Sequence, residues 1–174
     1  MLKTLKKVFL SVFVVVLVGV VWFGYGALNL KEISVYYAQH TPHREGVEPV
    51  LMEVVRNLRW IYNPDIKGIK YDYDGDRTIY NNLNSKQEEE YFNYNFSGEY
   101  RYYDGESWIY IFDEKFQLLR VYNAKTLDYS DDPVDDSAIK RDIFRVVQPV
   151  IDAQSAPLFN LQWVYDWVNK DRFN

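Results

Sequence analysis

The distribution of apolar and polar positions divides the chain into four stretches of different period. From Val8 to Leu28 runs an unbroken uncharged segment of 21 residues, VFLSVFVVVLVGVVWFGYGAL. As a helix it would extend about 31 Å, enough to cross a hydrocarbon core of roughly 30 Å. From Glu48 to Tyr62 the apolar residues Val50, Leu51, Val54, Val55, Leu58 and Ile61 recur every three or four positions. This spacing predicts an amphipathic helix with Pro49 in its first turn, ended by Asn63-Pro64. Between about Lys67 and Ala124 the period falls to two and tyrosine, phenylalanine and isoleucine dominate, which predicts strands. Asp74-Gly75, Ser97-Gly98, Asp104-Gly105 and Asp113-Glu114-Lys115 punctuate them as turns, the last leading into a strand from Phe116 to Tyr122. After an acidic loop from Asp128 to Asp136 the helical period returns. One helix is expected over about Ala138 to Ala153, capped by Ser137 or Asp136 and kinked or shortened by Pro149. Another is expected over about Pro157 to Asn169, with Leu158, Leu161, Val164, Tyr165 and Val168 as its apolar set.

These elements predict an α+β fold: an antiparallel β-meander packed with one preceding helix and two C-terminal helices, the connections being too short for parallel crossovers. The expected organisation is a basic tail over 1–7, an anchor over 8–28, a juxtamembrane connector over 29–45 and a folded domain over 46–174. Lys3, Lys6 and Lys7 precede the apolar segment, whereas Lys31 and Glu32 follow it and cancel. The positive-inside rule then puts the N-terminus in the cytoplasm and the domain outside it, with Trp22 and Tyr25 near the outer interface. A cleaved signal peptide is the competing reading, with Gly24-Tyr25-Gly26 near a cut site, but the apolar run exceeds the usual h-region of about 7–15 residues.

Composition narrows the function classes. Cysteine is absent, which removes disulfides, thiolate metal sites and a cysteine nucleophile. Without Lys3, Lys6 and Lys7, 17 basic residues stand against 25 acidic ones, a net charge of −8. That balance argues against nucleic acid, and against an anionic lipid surface, as the principal partner. No GxSxG, HExxH, P-loop or GxGxxG element occurs, and no cofactor is expected. Tyr71 to Asp76 has alternating carboxylates, but the sixth and twelfth positions of an EF-hand loop would be Arg77 and Leu83, so a hairpin turn explains it better. His40 and His43 are three apart with no third ligand nearby, and no metal site is expected. A pair of carboxylates for glycoside chemistry stays open, because such a pair is tertiary.

The most unusual feature is a tyrosine ladder: Tyr91, Tyr94, Tyr100, Tyr102, Tyr103, Tyr110 and Tyr122, with Trp108. Alternation puts Phe92, Tyr94 and Phe96 on one face and Tyr91, Asn93 and Asn95 on the other. Tyrosine is either a half-buried strand residue or, when exposed, an interface residue offering large area at low entropy cost. The candidate partner-binding residues are Tyr91, Asn93, Asn95, Arg101, Tyr103 and Trp108, joined by Asp131 and Asp132 of the acidic stretch as a docking patch for a cationic surface.

The anchor with its short connector, the first amphipathic helix, the tyrosine-rich meander and the C-terminal segment Trp167-Val168-Asn169-Lys170-Asp171-Arg172-Phe173 together resemble the TipC family of immunity proteins. The resemblance covers nearly the whole chain. It implies a non-enzymatic, outward-facing membrane protein that binds a secreted LXG-type toxin and blocks its access to the cell-wall precursor lipid II. Two other classes compete: a structural or sensory envelope component that binds a wall ligand or membrane protein, and a carboxylate-based carbohydrate-active enzyme.

Overall fold

The computed structural model describes residues 2–83, 89–130, 132 and 134–174. Helix α1 (Leu2–Glu32) contains the segment Phe9–Glu32, 24 residues long and apolar enough to cross a membrane, whose most apolar window is 0% buried in the domain. At Ile33 the helix breaks for one residue and resumes as α2 (Ser34–His40). Ser34, Val35, Tyr37 and Ala38 of α2 are buried. Much of the segment 29–45, expected as a connector, therefore contributes to the core, from Asn29 to Thr41, while 42–45 stay exposed. Helical hydrogen bonds run through the break, Ile33 N–H to Asn29 O and Tyr37 N–H to Ile33 O.

Side chains then fasten this joint. The Tyr37 hydroxyl donates to Asn29 Oδ1 (2.6 Å) and accepts from the Leu161 N–H (3.2 Å). Gln162 Nε2 donates to Tyr37 O (3.0 Å), and Thr41 Oγ1 donates to Asp166 Oδ1 (2.8 Å). The end of α1, α2 and the start of the last helix thus share one hydrogen-bonded cluster.

Helix α3 (Pro49–Arg56) is shorter than its apolar period suggests, because turns follow Asn57, yet Leu58 and Ile61 remain buried. Seven strands follow: β1 (Ile69–Asp72), β2 (Arg77–Asn81), β3 (Glu90–Tyr94), β4 (Tyr100–Tyr103), β5 (Trp108–Phe112), β6 (Leu118–Asn123) and β7 (Asp128–Ser130). They form one antiparallel meander in sequence order. From β3 onward each turn begins with a side chain that accepts its own loop's N–H groups: Asn95 from Glu99, Asp104 from Glu106 and Ser107, Asp113 from Lys115 and Gln117, Asn123 from Lys125 and Thr126. Asp and Asn serve here because their short acceptors reach the backbone two to four residues ahead.

Two expectations change in this region. Phe116 does not open a strand; it is the turn residue of the β5–β6 hairpin with φ +62°, a left-handed conformation that costs a non-glycine residue of order 1 kcal/mol or more. Its buried ring stacks on Phe112 at 4.6 Å, and this burial holds the backbone there. The acidic stretch, expected to be loop throughout, begins with strand β7. An edge strand with Asp128 and Tyr129 exposed leaves no apolar alternation to read.

Helix α4 (Asp136–Asp152) is capped by Asp135, not by Ser137 or Asp136: its carboxylate accepts from the Ser137 and Ala138 N–H groups. Pro149 does not shorten it, since Val146, Val147, Val150 and Ile151 are all buried around that turn. Asn81 Nδ2 donates to Val146 O (2.8 Å), and Arg145 makes a two-pronged ion pair with Glu90 (2.8 and 3.1 Å), so α4 is tied to β2 and β3. Helix α5 (Gln162–Phe173) begins and ends later than expected, because its buried stripe is Tyr165, Asn169 and Phe173. The helices pack on one sheet face, where Ile69, Ile79, Phe92, Tyr100, Tyr102 and Phe112 supply the sheet's share of the core.

Candidate binding face

The strand register assigns every second residue to the face that the helices leave uncovered. One row across that face runs Lys70, Tyr80, Tyr91, Tyr103, Ile109, Tyr122 and Tyr129, each paired with the next on the neighbouring strand. The adjacent row runs Asp72, Thr78, Asn93, Arg101, Ile111 and Arg120. No residue of either row belongs to the helix-packed core. The alternation derives from the pleat, which sends successive side chains to opposite faces.

The tyrosines support one another. Ring centroids are 6.0 Å apart for Tyr80 and Tyr91, 5.4 Å for Tyr91 and Tyr103, and 5.4 Å for Tyr122 and Tyr129. Cross-strand aromatic pairs of this kind contribute roughly 0.2–1 kcal/mol each. Tyr103 and Ile111, in the middle of the sheet, are 8% and 7% exposed, whereas Tyr129 at the edge is 63% exposed. Burial raises the Tyr91 phenol above its ordinary value, the Arg101 charge opposing the rise. The hydroxyl therefore stays neutral at physiological pH and can both donate and accept.

Besides Lys70 and Asp72 on β1, the face carries a charged cluster around Glu99. Glu99, in the β3–β4 turn, accepts from Arg101 (3.0 Å) and Arg120 (3.0 Å). Burial pushes the Glu99 carboxyl up, but hydrogen bonds from Arg101 and Asn95 and the two guanidinium charges outweigh it, so its pKa is lowered. Asn93 Oδ1 and Arg101 Nε are buried and have no hydrogen-bond partner among the described residues. An acceptor and a donor thus remain unsatisfied on two residues paired in register at the centre of the polar row.

Tyr91, Asn93, Arg101 and Tyr103 are brought together here, and Asn95, just beyond the end of β3 and 4% exposed, joins their margin with its amide on the Glu99 oxygen that Arg101 also binds. The remaining candidates lie elsewhere. Trp108 opens β5 on the opposite face, paired with Asn123 and in phase with Tyr110. Asp132 is exposed in the loop between β7 and α4, its N–H bonded to Ser130 Oγ; Asp131 lies outside the described residues. Tyr80, Ile109, Ile111, Arg120 and Tyr129 belong to the face although none was singled out from the sequence. Carrying the parity of Tyr91 through each hairpin would have found them.

The face offers broad ring area beside hydroxyl and guanidinium donors, the chemistry enriched where proteins meet. No family model, curated protein or solved structure matches this chain.

Proposed function

We propose that this chain is a membrane-tethered protein-binding module without catalytic activity. Its anchor crosses the cell membrane once, with the N-terminus cytoplasmic and the folded domain on the outer side, as the basic residues before the apolar segment favour. The partner binds the uncovered sheet face. The observation that carries this reading is the row of five tyrosines on a face that no helix covers. The resemblance to TipC-type proteins narrows the partner to a secreted LXG-type toxin that acts on lipid II, and makes this an immunity protein acting by stoichiometric occlusion.

The test uses the detergent-solubilised full chain as bait against culture supernatant and envelope extract. Capture of one exported toxin near a one-to-one ratio, lost with Tyr80→Ala/Tyr122→Ala/Tyr129→Ala, supports the proposal. Truncating a hot-spot tyrosine costs about 2 kcal/mol, or roughly 30-fold in affinity. Capture of wall-synthesis proteins alone replaces the toxin reading with that of a structural or sensory envelope component. Undiminished capture of the toxin by the triple variant would refute the sheet face as the site.

A further inference from the structure

Two grooves meet where α1 enters the domain, and their chemistries differ. The first, about 600 Å³, lies between α1 and α5: Trp22, Gly26 and Leu30 form one wall, Leu161, Val164 and Val168 the other. Phe159 closes against the anchor, with ring centroids 6.0 Å from Trp22 and 6.2 Å from Tyr25. The second, about 430 Å³, shares Ala27, Leu30 and Val168 with the first and is lined by Lys31, Arg56, Arg77 and Arg172, with Glu53 as its one carboxylate. Arg172 pairs with Glu53, and its Nε is buried without a partner among the described residues. Lys31 stands 4.7 Å from the Trp60 ring centroid, and Arg56 and Arg77 flank the Tyr94 ring. A domain whose net charge is negative has gathered four cations against one anion at this position.

Depth along the anchor matches the two chemistries to a bilayer. Lys7 and Lys31 are 24 residues apart on one helix, about 36 Å, against a hydrocarbon core of roughly 30 Å. Lys31 then stands at headgroup level on the domain's side, while Trp22, nine residues and about 13 Å deeper, lies within the hydrocarbon and not near the outer interface as expected from the sequence. Phe159 packs on Trp22 and Trp167 lines the same groove, and these two, with Leu158 and Trp163 next to them in the chain segment, are 56–91% exposed, the side chains expected where a protein surface meets lipid.

We propose that this junction is a binding site for one anionic phospholipid of the leaflet on the domain's side. The headgroup phosphate enters the pocket of Lys31, Arg56, Arg77 and Arg172, and an acyl chain lies in the groove between α1 and α5. The proposal rests on the anchor reading and not on the toxin reading.

The test is native mass spectrometry of the full chain, released from detergent after equilibration with equal amounts of phosphatidylglycerol and phosphatidylcholine of identical acyl chains. One phosphatidylglycerol should be retained in preference. Each cation removed should weaken that binding about fivefold, so Arg56→Gln/Arg77→Gln loses roughly 25-fold. Lys31→Gln, which breaks no hydrogen bond of the fold, loses about fivefold. Equal retention of both lipids, or retention unchanged by these variants, overturns the site. So does competition by glycerol phosphate at the lipid's own concentration, which would mark a soluble phosphate ligand. A chain that stays soluble without detergent removes the anchor reading and the site together, whereas a chain that inserts but does not discriminate removes the site alone.

Discussion

Arg172→Met should destabilise the fold by about 2–3 kcal/mol. Glu53 is 2% exposed on α3, and its carboxylate is held from both sides: Arg172 Nη2 donates to Oε1 (2.8 Å) and Asn57 Nδ2 to Oε2 (2.6 Å). Asn57 Nδ2 also donates to Ser34 Oγ (3.1 Å), so the cluster joins α2, α3 and α5. Removing one partner of a buried pair typically costs about 3–5 kcal/mol, because the remaining charge is left uncompensated. Two features lower that figure here. The Arg172 side chain is 26% exposed, and Arg56 and Arg77 line the same pocket and retain some positive potential at Glu53. At about 2–4 °C per kcal/mol for a chain of this size, Tm should fall by roughly 4–12 °C. The assay is thermal unfolding of the full chain in lipid-free detergent, followed by near-ultraviolet circular dichroism. The double variant Glu53→Leu/Arg172→Met should recover most of the loss, since exchanging a buried pair for apolar groups of similar size is often neutral. A Tm unchanged in the single variant, or a double variant less stable than the single one, would refute this account of how the C-terminal helix is held.

Two further outcomes follow from the same structure. Tyr37→Phe removes the hydroxyl that joins Asn29 to Leu161, leaves a buried acceptor unpaired and should cost about 1–3 kcal/mol; hydrogen exchange should rise first in residues 157–162, and an unchanged exchange pattern would contradict the joint. Glu48 carries a carboxyl raised above its usual value by burial, with Lys140 and His43 opposing. A raised acid is costly to ionise in the folded state, so stability is gained as pH falls through its folded pKa, completely so below the unfolded value of about 4.5. Glu48→Gln should therefore give a small rise in Tm at pH 7 that vanishes near pH 4, and a destabilisation at pH 7 would be the contrary result.

Much of the fold was legible because its signals are local. The meander follows from period-two alternation broken by Asp-Gly, Ser-Gly and Asp-Glu-Lys turns, and α3 and α4 show their buried stripes at three- and four-residue spacing; for α5 the apolar spacing misleads, since of the expected set only Tyr165 is buried while Leu158 and Val168 are exposed. Helix α2 was not legible, since seven residues directly after the apolar segment give too short a pattern, and its burial depends on α3 and α5 closing over Val35 and Tyr37. Strand β7 has only three residues and an exposed edge. For the candidate face, alternation separates two sets of side chains but does not say which set the helices cover. That is a tertiary fact, decided by where Ile79, Phe92 and Tyr100 meet α3 and α4. It also explains Trp108, whose place two residues before Tyr110 puts it with the covered set. The negative net charge of the residues after Lys7 concealed another tertiary fact, because a sum over residues cannot show that Lys31, Arg56, Arg77 and Arg172 converge beside the end of α1.

The central claim is that a protein partner contacts the uncovered sheet face in the living cell, and site-specific photo-crosslinking tests it most directly. A photoreactive side chain would replace Tyr80 or Tyr122 on that face, or Arg141 on the exposed side of α4, in the full-length chain expressed in its own membrane. Crosslinks to a single exported protein from positions 80 and 122, and none from 141, are the result predicted. Crosslinks to that protein from position 141 alone would move the interface to the helices and contradict the account.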